Sequence, residues 1–167
     1  MKLQIKPHRW CCLASSFAMA LGVTTEEFFR HAGHDGSDII FPQLDDPFRR
    51  RGFHVSEAVV VAIQLGFTAT PVELNPCITA RGVENLFPVY YGRGQHAQTN
   101  DAVFKAIITQ SQGVIECTTR LKNWHSVAFS KGVIYDPDGR VFEYAPAACE
   151  VRNLFTYRLW SIQKAAT

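Results

Sequence analysis

The sequence predicts an α+β fold in which N-terminal helices pack on a C-terminal antiparallel sheet. Helical patterns dominate up to about residue 112, whereas residues 113–167 consist of short alternating segments that end at turn-forming residues. Helices followed by strands in one short chain are typical of this class. With 167 residues and 47% hydrophobic composition, the chain can form one core, so we expect a single domain over residues 1–167.

The helices are predicted from apolar residues at helical spacing and from residues that begin or end helices. Their bounds are Cys12 to near Gly22, Thr24 to about Ala32, Ser56 to Leu65, and a fourth from Thr99 or Asn100 through Ile108. Thr24 and Ser56 are the expected N-caps of the second and third helices, because their hydroxyls can accept from free backbone N–H groups.

Strands are predicted where apolar residues alternate or where β-branched and aromatic residues cluster between turns. They cover residues 2–6, 67–74, 114–119, 124–130, 133–136, 141–144 and 154–162. Two loops separate these elements, a long one over residues 34–52 and a glycine-rich one over residues 92–96, and both are candidates for the walls of a cleft.

The first helix begins at two adjacent cysteines, Cys11 and Cys12. The positive end of a helix dipole favours the thiolate and can lower the pKa of a thiol from about 8.5 into the acid range. A cysteine in this position is therefore a candidate nucleophile, although most cysteines only fill space in a core. Cys77, Cys117 and Cys149 lie singly, and we assign them to packing.

A hairpin in the strand-rich part carries a second chemical feature. If its turn is the two-residue Lys131-Gly132, Ser130 pairs with Val133, and His125 and Asp136 fall on the same face, one diagonal step apart. A carboxylate at that distance can hold an imidazole in one tautomer while its other nitrogen faces a nucleophile. A three-residue turn with a bulge would change this parity.

Composition excludes several classes of partner. The net charge is +2 and only 19% of residues are charged, which argues against nucleic acid or a membrane surface as the partner. No apolar run approaches the roughly 20 residues of a membrane span and no secretory signal is recognisable, so we expect a cytoplasmic protein. The five cysteines are an odd number, which favours reduced thiols over a disulfide framework.

We expect neither a metal nor a cofactor. His8, His31 and His34 lie in the same third of the chain as the paired cysteines, which raises the question of zinc. Adjacent cysteines cannot easily both bind one tetrahedral ion, and no second Cys-x-x-Cys half-site is present.

Three segments together resemble a known family: residues 12–22, Trp124-His125-Ser126-Val127 and Ile134-Tyr135-Asp136-Pro137. They are similar to the papain-like cysteine peptidases, especially the C39-like branch that includes bacteriocin-processing peptidases. In that branch a Cys begins a helix with a Met seven residues later, and the His strand is followed by an Asp-Pro pair. The resemblance covers about residues 4–22 and 113–137, while residues 29–112 are not assigned to any branch.

The resemblance implies a papain-like fold with Cys12 as the nucleophile, because Met19 and Gly22 then fall at the family's spacing. Cys11 remains the alternative. His125 would be the base and Asp136 its orienting acid, while Gln4 resembles the glutamine that donates to the oxyanion. The residue after the nucleophile, Leu13, departs from the Gly or Trp that many members carry.

The implied activity is hydrolysis of an amide or isopeptide bond in a peptide or protein substrate through an acyl-thioester. Deamidation and acyl transfer use the same three residues, so they remain alternatives. A papain-like module that binds a peptide without cleaving it is a further alternative, as is a structural or interaction protein in which the Cys and His are fortuitous. The sequence does not predict the oligomeric state.

Overall fold

The computed structural model describes residues 1–39, 42–45, 51–73, 101–119 and 123–166. Its helices are α1 (Cys12–Leu21), α2 (Thr25–Ala32), α3 (Val55–Gln64), α4 (Asp101–Gln110) and α5 (Pro146–Val151). Its strands are β1 (Phe67–Glu73), β2 (Gln112–Thr118), β3 (Trp124–Ser130), β4 (Val133–Asp136), β5 (Arg140–Glu143) and β6 (Phe155–Lys164).

The six strands form one sheet in the order β1-β6-β2-β3-β4-β5, and every neighbouring pair is antiparallel. The predicted α+β class is therefore confirmed. Five of these strands lie from residue 112 onward, close to the expected boundary, but β1 comes from the helical part and pairs along its length with β6. The last strand thus joins the two parts of the chain in one sheet.

Helices cover both faces of the sheet. Phe17 of α1 lies in a buried cluster that joins α1, α2 and α3 to Val114 of β2. On the opposite face, Phe104 of α4 packs in a second cluster with Ile115, the next residue of β2. Because successive side chains of a strand point to opposite faces, this single strand contributes to both cores.

Helix α1 is the most deeply enclosed helix that the structure describes. Residues 14–21 are all buried, so only its first turn keeps accessible side chains. It ends where Gly22 adopts a left-handed conformation, with φ of 77°, and its N–H bonds back to the last turn. The predicted bounds of this helix are confirmed, and within it Cys12 and Leu13 are the residues with partly accessible side chains.

The caps of the next two helices differ in how well the sequence predicts them. The Thr24 hydroxyl accepts from the N–H of Glu27 at 3.1 Å, as predicted. For α3 the expected cap, Ser56, is wrong: the N-cap is His54, because the Glu57 carboxylate reaches back to its N–H at 2.5 Å. In α2 the cap side chain thus accepts from a backbone N–H, whereas in α3 the Glu57 side chain reaches back to the backbone of the cap.

The hairpin of β3 and β4 has the predicted register. Ser130 pairs with Val133, and both turn residues have positive φ, 49° at Lys131 and 84° at Gly132. Two positive φ values are typical of the two-residue turn whose twist matches that of the flanking strands. No extra residue changes the parity, so His125 and Asp136 share a face.

Other predictions are corrected or lie outside the described residues. Residues 2–6 form no strand; instead, the Lys6 N–H donates to the Pro137 carbonyl at 3.0 Å. The short helix α5 was not predicted, although Pro146 at its first position is a typical start signal. The fourth helix extends to Gln110. The predicted caps of this helix lie outside the described residues, and so do two other predicted features, Cys77 and the 92–96 loop. Within the described ranges, no helix has the length and apolar character needed to cross a membrane.

Candidate active site

Cys12 is the first residue of α1, immediately after the N-cap Cys11. The first turn carries no acidic side chain, so nothing there opposes a negative charge at the positive end of the helix dipole. Its side chain is partly accessible, unlike the buried residues from Ala14 onward. One turn later, the Ser16 hydroxyl donates to the Ser126 carbonyl of β3 at 2.9 Å, which fixes the helix beside the strand that carries His125.

His125 and Asp136 are in direct contact, as the hairpin register predicts. The His125 Nε2 lies 2.9 Å from one Asp136 carboxylate oxygen. Asp136 is fully buried and His125 is 8% exposed, so water does not compete for this bond. With Nε2 bonded to the acid, Nδ1 is the nitrogen left for the hydrogen bond to Cys12.

The Asp136 carboxylate is itself held from two further directions. Its first oxygen also accepts from the Asp138 N–H at 2.9 Å, and its second accepts from the Arg140 Nε at 2.8 Å. A buried carboxylate needs such partners, because a lone charge in the interior is very costly. The Asp136-Pro137-Asp138-Gly139 turn therefore both ends β4 and holds the acid in place.

The pKa values of the thiol and the imidazole move in opposite directions. Burial raises the pKa of Cys12, but the hydrogen bond and charge of His125, helped by the charge of Lys6, outweigh it and leave this pKa below its ordinary value. Burial lowers the pKa of His125, but Asp136 and Cys12 together raise it to about 9. Between the two pKa values, the stable form is a thiolate paired with an imidazolium.

Asp136 completes the charge arrangement. Burial raises the pKa of its carboxyl group, but the hydrogen bond and charge of His125, followed by the Asp138 N–H and Arg140, hold it below the usual range. The acid is therefore ionised at neutral pH, where the histidine is charged as well. The three side chains form a connected Cys–His–Asp array of the kind that activates a thiol for nucleophilic attack.

Cys11, the alternative nucleophile, lies on the other side of the helix start. It is fully buried, and its Sγ donates to the His8 carbonyl at 3.0 Å. Burial raises the pKa of this thiol, which keeps it protonated. The structure therefore brings Cys12 and not Cys11 to His125. Cys117 and Cys149 are buried, in keeping with their assignment to packing.

The expected oxyanion role of Gln4 is wrong. Its amide donates to the Val23 carbonyl at 2.6 Å, and its oxygen accepts from the Thr25 N–H at 2.7 Å. Both groups lie where α1 ends and α2 begins, and the Gln4 N–H donates to the Met19 sulfur at 3.2 Å. Gln4 therefore lies at the C-terminal end of α1, whereas Cys12 lies at the N-terminal end, and its amide is already used.

We expect Gln4→Ala to lower stability without impairing the site. Loss of its bonds to Val23 and Thr25 should reduce the free energy of unfolding by about 1–2 kcal/mol, measured by urea denaturation. The reactivity of Cys12 should change less than about threefold. Gln163→Ala, on the exposed surface of β6, is the matched control. A hundredfold loss of Cys12 reactivity at unchanged stability would restore the oxyanion role.

Sequence reasoning missed Lys6 and Arg140, two cations beside the site. The Lys6 ammonium forms an ion pair with Asp138 at 2.5 Å, and an Asp138 oxygen lies 4.0 Å from the His125 Nε2. Arg140 contacts Asp136 as described above. The Asp-Gly turn with an arginine after it was visible in the sequence as a local signal for Arg140. No local signal in the sequence pointed to Lys6, because only the folding of the chain brings it to Asp138.

One group of side chains at the site could in principle share a metal ion. Among the described residues, only His125, Asp136 and Asp138 bring three suitable ligand atoms within 4.8 Å of one another. Each of these atoms already has a partner: Lys6 neutralises Asp138, while Arg140 and His125 neutralise Asp136. A divalent ion would have to break the His–Asp bond, so the donor set fits a charge network better than a metal centre.

Comparison with known proteins adds no family assignment. No protein-family model matches the chain, and no curated protein sequence matches it.

Proposed function

We propose that this protein is a cysteine peptidase that hydrolyses an amide or isopeptide bond in a peptide or protein substrate. The observation that carries the proposal is the connected array of Cys12, His125 and Asp136, in which the pKa of the thiol is lowered and that of the imidazole is raised to about 9. The resemblance of the same three segments to papain-like peptidases of the C39-like branch supports it.

The first step forms an acyl-enzyme. The Cys12 thiolate attacks the carbonyl carbon and the electron pair of the C=O bond moves to oxygen. When the tetrahedral intermediate collapses, the C–N bond breaks and the His125 imidazolium gives its proton to the leaving amine. Asp136 holds the imidazole so that Nδ1 faces both the sulfur and the leaving nitrogen.

The helix start supplies the donor for the oxyanion. The first four N–H groups of a helix have no partner within it, and Cys12 is the first helical residue. Its N–H therefore points out of the helix beside its own sulfur, and the helix dipole adds positive potential there. Gln4 is excluded as the second donor by its bonds at the far end of α1.

The second step releases the acyl group. His125, now neutral, takes a proton from water, and the hydroxyl attacks the thioester to give a carboxylate and the free thiolate. An amine in place of water would give acyl transfer, and a glutamine side chain as the substrate would give deamidation. Mass spectrometry of the products separates these outcomes, because only hydrolysis of a peptide bond yields two shorter peptides.

The activated thiol is tested by alkylation with iodoacetamide over a range of pH. We expect Cys12 to react at pH 6 at least about tenfold faster than in a His125→Ala variant, because each unit of thiol pKa changes the thiolate fraction tenfold. The rate should rise with pH through a midpoint below the ordinary range for a thiol, since the thiolate is the reactive form. Peptide mapping of the product locates the label.

Cys149 serves as an internal control, because it is buried and burial raises its pKa to about 11. It should remain unlabelled in the folded protein. Equal labelling of Cys12 with and without His125 would contradict the activated nucleophile and favour a binding module. An activated Cys12 that cleaves no peptide in a randomised library would retain the nucleophile but reject the peptidase.

A further inference from the structure

Trp10, two residues before Cys12, is flanked by two arginines. The guanidinium carbon of Arg9 lies 4.3 Å from the centre of its ring system, and that of Arg51 lies 5.7 Å away. Both arginines are exposed, while the indole is half-buried. Cations within about 6 Å of an indole face are attracted to it, so the ring holds both charges near the start of α1.

The position of Arg51 is set by close backbone packing. A Cβ at Gly52 would lie only 2.9 Å from the Trp10 carbonyl oxygen, so the glycine lets the two loops touch. The Gly52 N–H also donates to the Gly36 carbonyl at 2.9 Å, and Phe53 stacks on His34 with ring centres 4.5 Å apart. Residues 51–53 are therefore held in close packing against Trp10, two residues before the nucleophile.

Among the residues that the structure describes, these two arginines have no acidic partner, unlike the other cations near the site. Lys6 is paired with Asp138 and Arg140 with Asp136. Within the described ranges, neither Arg9 nor Arg51 forms an ion pair with any carboxylate. The Asp35 carboxylate accepts hydrogen bonds from the N–H and the hydroxyl of Ser37 instead. Among the described residues, nothing neutralises these two positive charges, which lie around Trp10, two residues before the nucleophile.

We propose that Arg9, Trp10 and Arg51 form a subsite that selects an acidic side chain of the substrate close to the scissile bond. The Cα atoms of Trp10 and Cys12 are at most about 7 Å apart, and an extended peptide advances about 3.3 Å per residue. The selected Asp or Glu therefore lies within about three residues of the reacting carbonyl. This inference rests on the proposed peptidase function.

The test uses a library of eight-residue peptides in which each position carries Asp or the isosteric Asn, with cleavage followed by mass spectrometry. Within three residues of the cleaved bond, Asp should be preferred over Asn by about fivefold or more, as expected for a partly solvated ion pair. The preference should shrink in 1 M salt, where the screening length is about 3 Å.

Variants identify the residues responsible for the preference. Arg9→Gln with Arg51→Gln should abolish it, whereas Arg51→Lys should keep most of it. Lys164→Gln is the matched control, because it removes one positive charge at the exposed far end of β6. Arg9→Glu with Arg51→Glu should invert the preference in favour of lysine peptides.

Three outcomes would overturn the inference, and they can be told apart. Cleavage of Asp and Asn peptides at equal rates rejects the subsite but leaves the peptidase standing. An Asp preference that survives in the double glutamine variant assigns the selectivity to other residues. No cleavage of any peptide rejects the peptidase and the subsite together.

Discussion

Replacing Cys12 with alanine is expected to lower kcat/KM for peptide cleavage by about 10⁴-fold or more, to the level of the reaction without the thiol. The sulfur is the atom that forms the acyl-enzyme, and it is hydrogen-bonded to the His125 imidazole that activates it. Cleavage of a fluorogenic peptide taken from the library hits measures the loss. Circular dichroism checks the fold, which should be unchanged because Cys12 is partly accessible and lies at the start of its helix.

Cys11→Ser is the matched control for this prediction. Serine keeps the hydrogen bond to the His8 carbonyl, because its hydroxyl can donate in place of the thiol. We expect kcat/KM to stay within about threefold of the unmodified protein, with some loss of stability because a hydroxyl replaces a buried thiol. Loss of activity in this variant, with activity kept in Cys12→Ala, would reverse the assignment of the nucleophile.

The contact between His125 and Asp136 could be predicted from the sequence because it depends on local signals. A two-residue turn with Gly132 fixes the register of a hairpin, and the register fixes which side chains share a face. The choice of Cys12 over Cys11 came instead from the family resemblance, whose spacing Met19 and Gly22 match. Local hairpin signals thus predicted two members of the site, and the resemblance supplied the third.

The residues around this array could not be predicted, because they come together through long-range packing. Lys6 reaches Asp138 only after the N-terminal segment has been laid along the β4–β5 turn. Gln4 was assigned to the oxyanion by resemblance to a sequence position. No local pattern fixed the path of that segment, and the fold placed Gln4 against Val23 and Thr25 instead.

For the fold as well, local signals predicted the single elements, whereas their long-range pairing could not be predicted. Alternation and caps predicted the individual elements, but the pairing of β1 with β6 joins segments about 90 residues apart, and strand order is not encoded in either segment alone. The helix α5, six residues long, is too short to give a periodic signal.

Asp136→Ala is expected to have the second-largest effect, a loss of about 10² to 10⁴-fold in kcat/KM. Without the carboxylate, nothing fixes the His125 tautomer, and its pKa should fall from about 9 because its anionic partner is gone. The midpoint for alkylation of Cys12 should then move to higher pH, since a neutral imidazole no longer stabilises the thiolate. The loss of kcat/KM and the shift of the alkylation midpoint together distinguish a positioning role of Asp136 from a merely structural one.

The same variant should lose about 2 kcal/mol of stability, measured by urea denaturation near pH 7. The loss is smaller than for a fully buried ion pair because Arg140, 40% exposed, can be hydrated once its partner is removed. The pKa of Asp136 is lowered in the folded state, so its contribution is present above the unfolded value of about 3.9 and is lost as the pH falls through the lowered pKa. The difference in the free energy of unfolding between the unmodified protein and Asp136→Ala should therefore vanish at acidic pH.

Asp136→Asn separates the geometry of this carboxylate from its charge. An asparagine oxygen can still accept from the His125 Nε2, but its amide group then faces Arg140, which is also a donor. We expect an activity between those of the unmodified protein and Asp136→Ala, with a His125 pKa close to the alanine variant's because both remove the charge. Full activity in Asp136→Ala would instead show that Ser16 and the strand register suffice to position the imidazole, and the acid would then be only a stabilising residue.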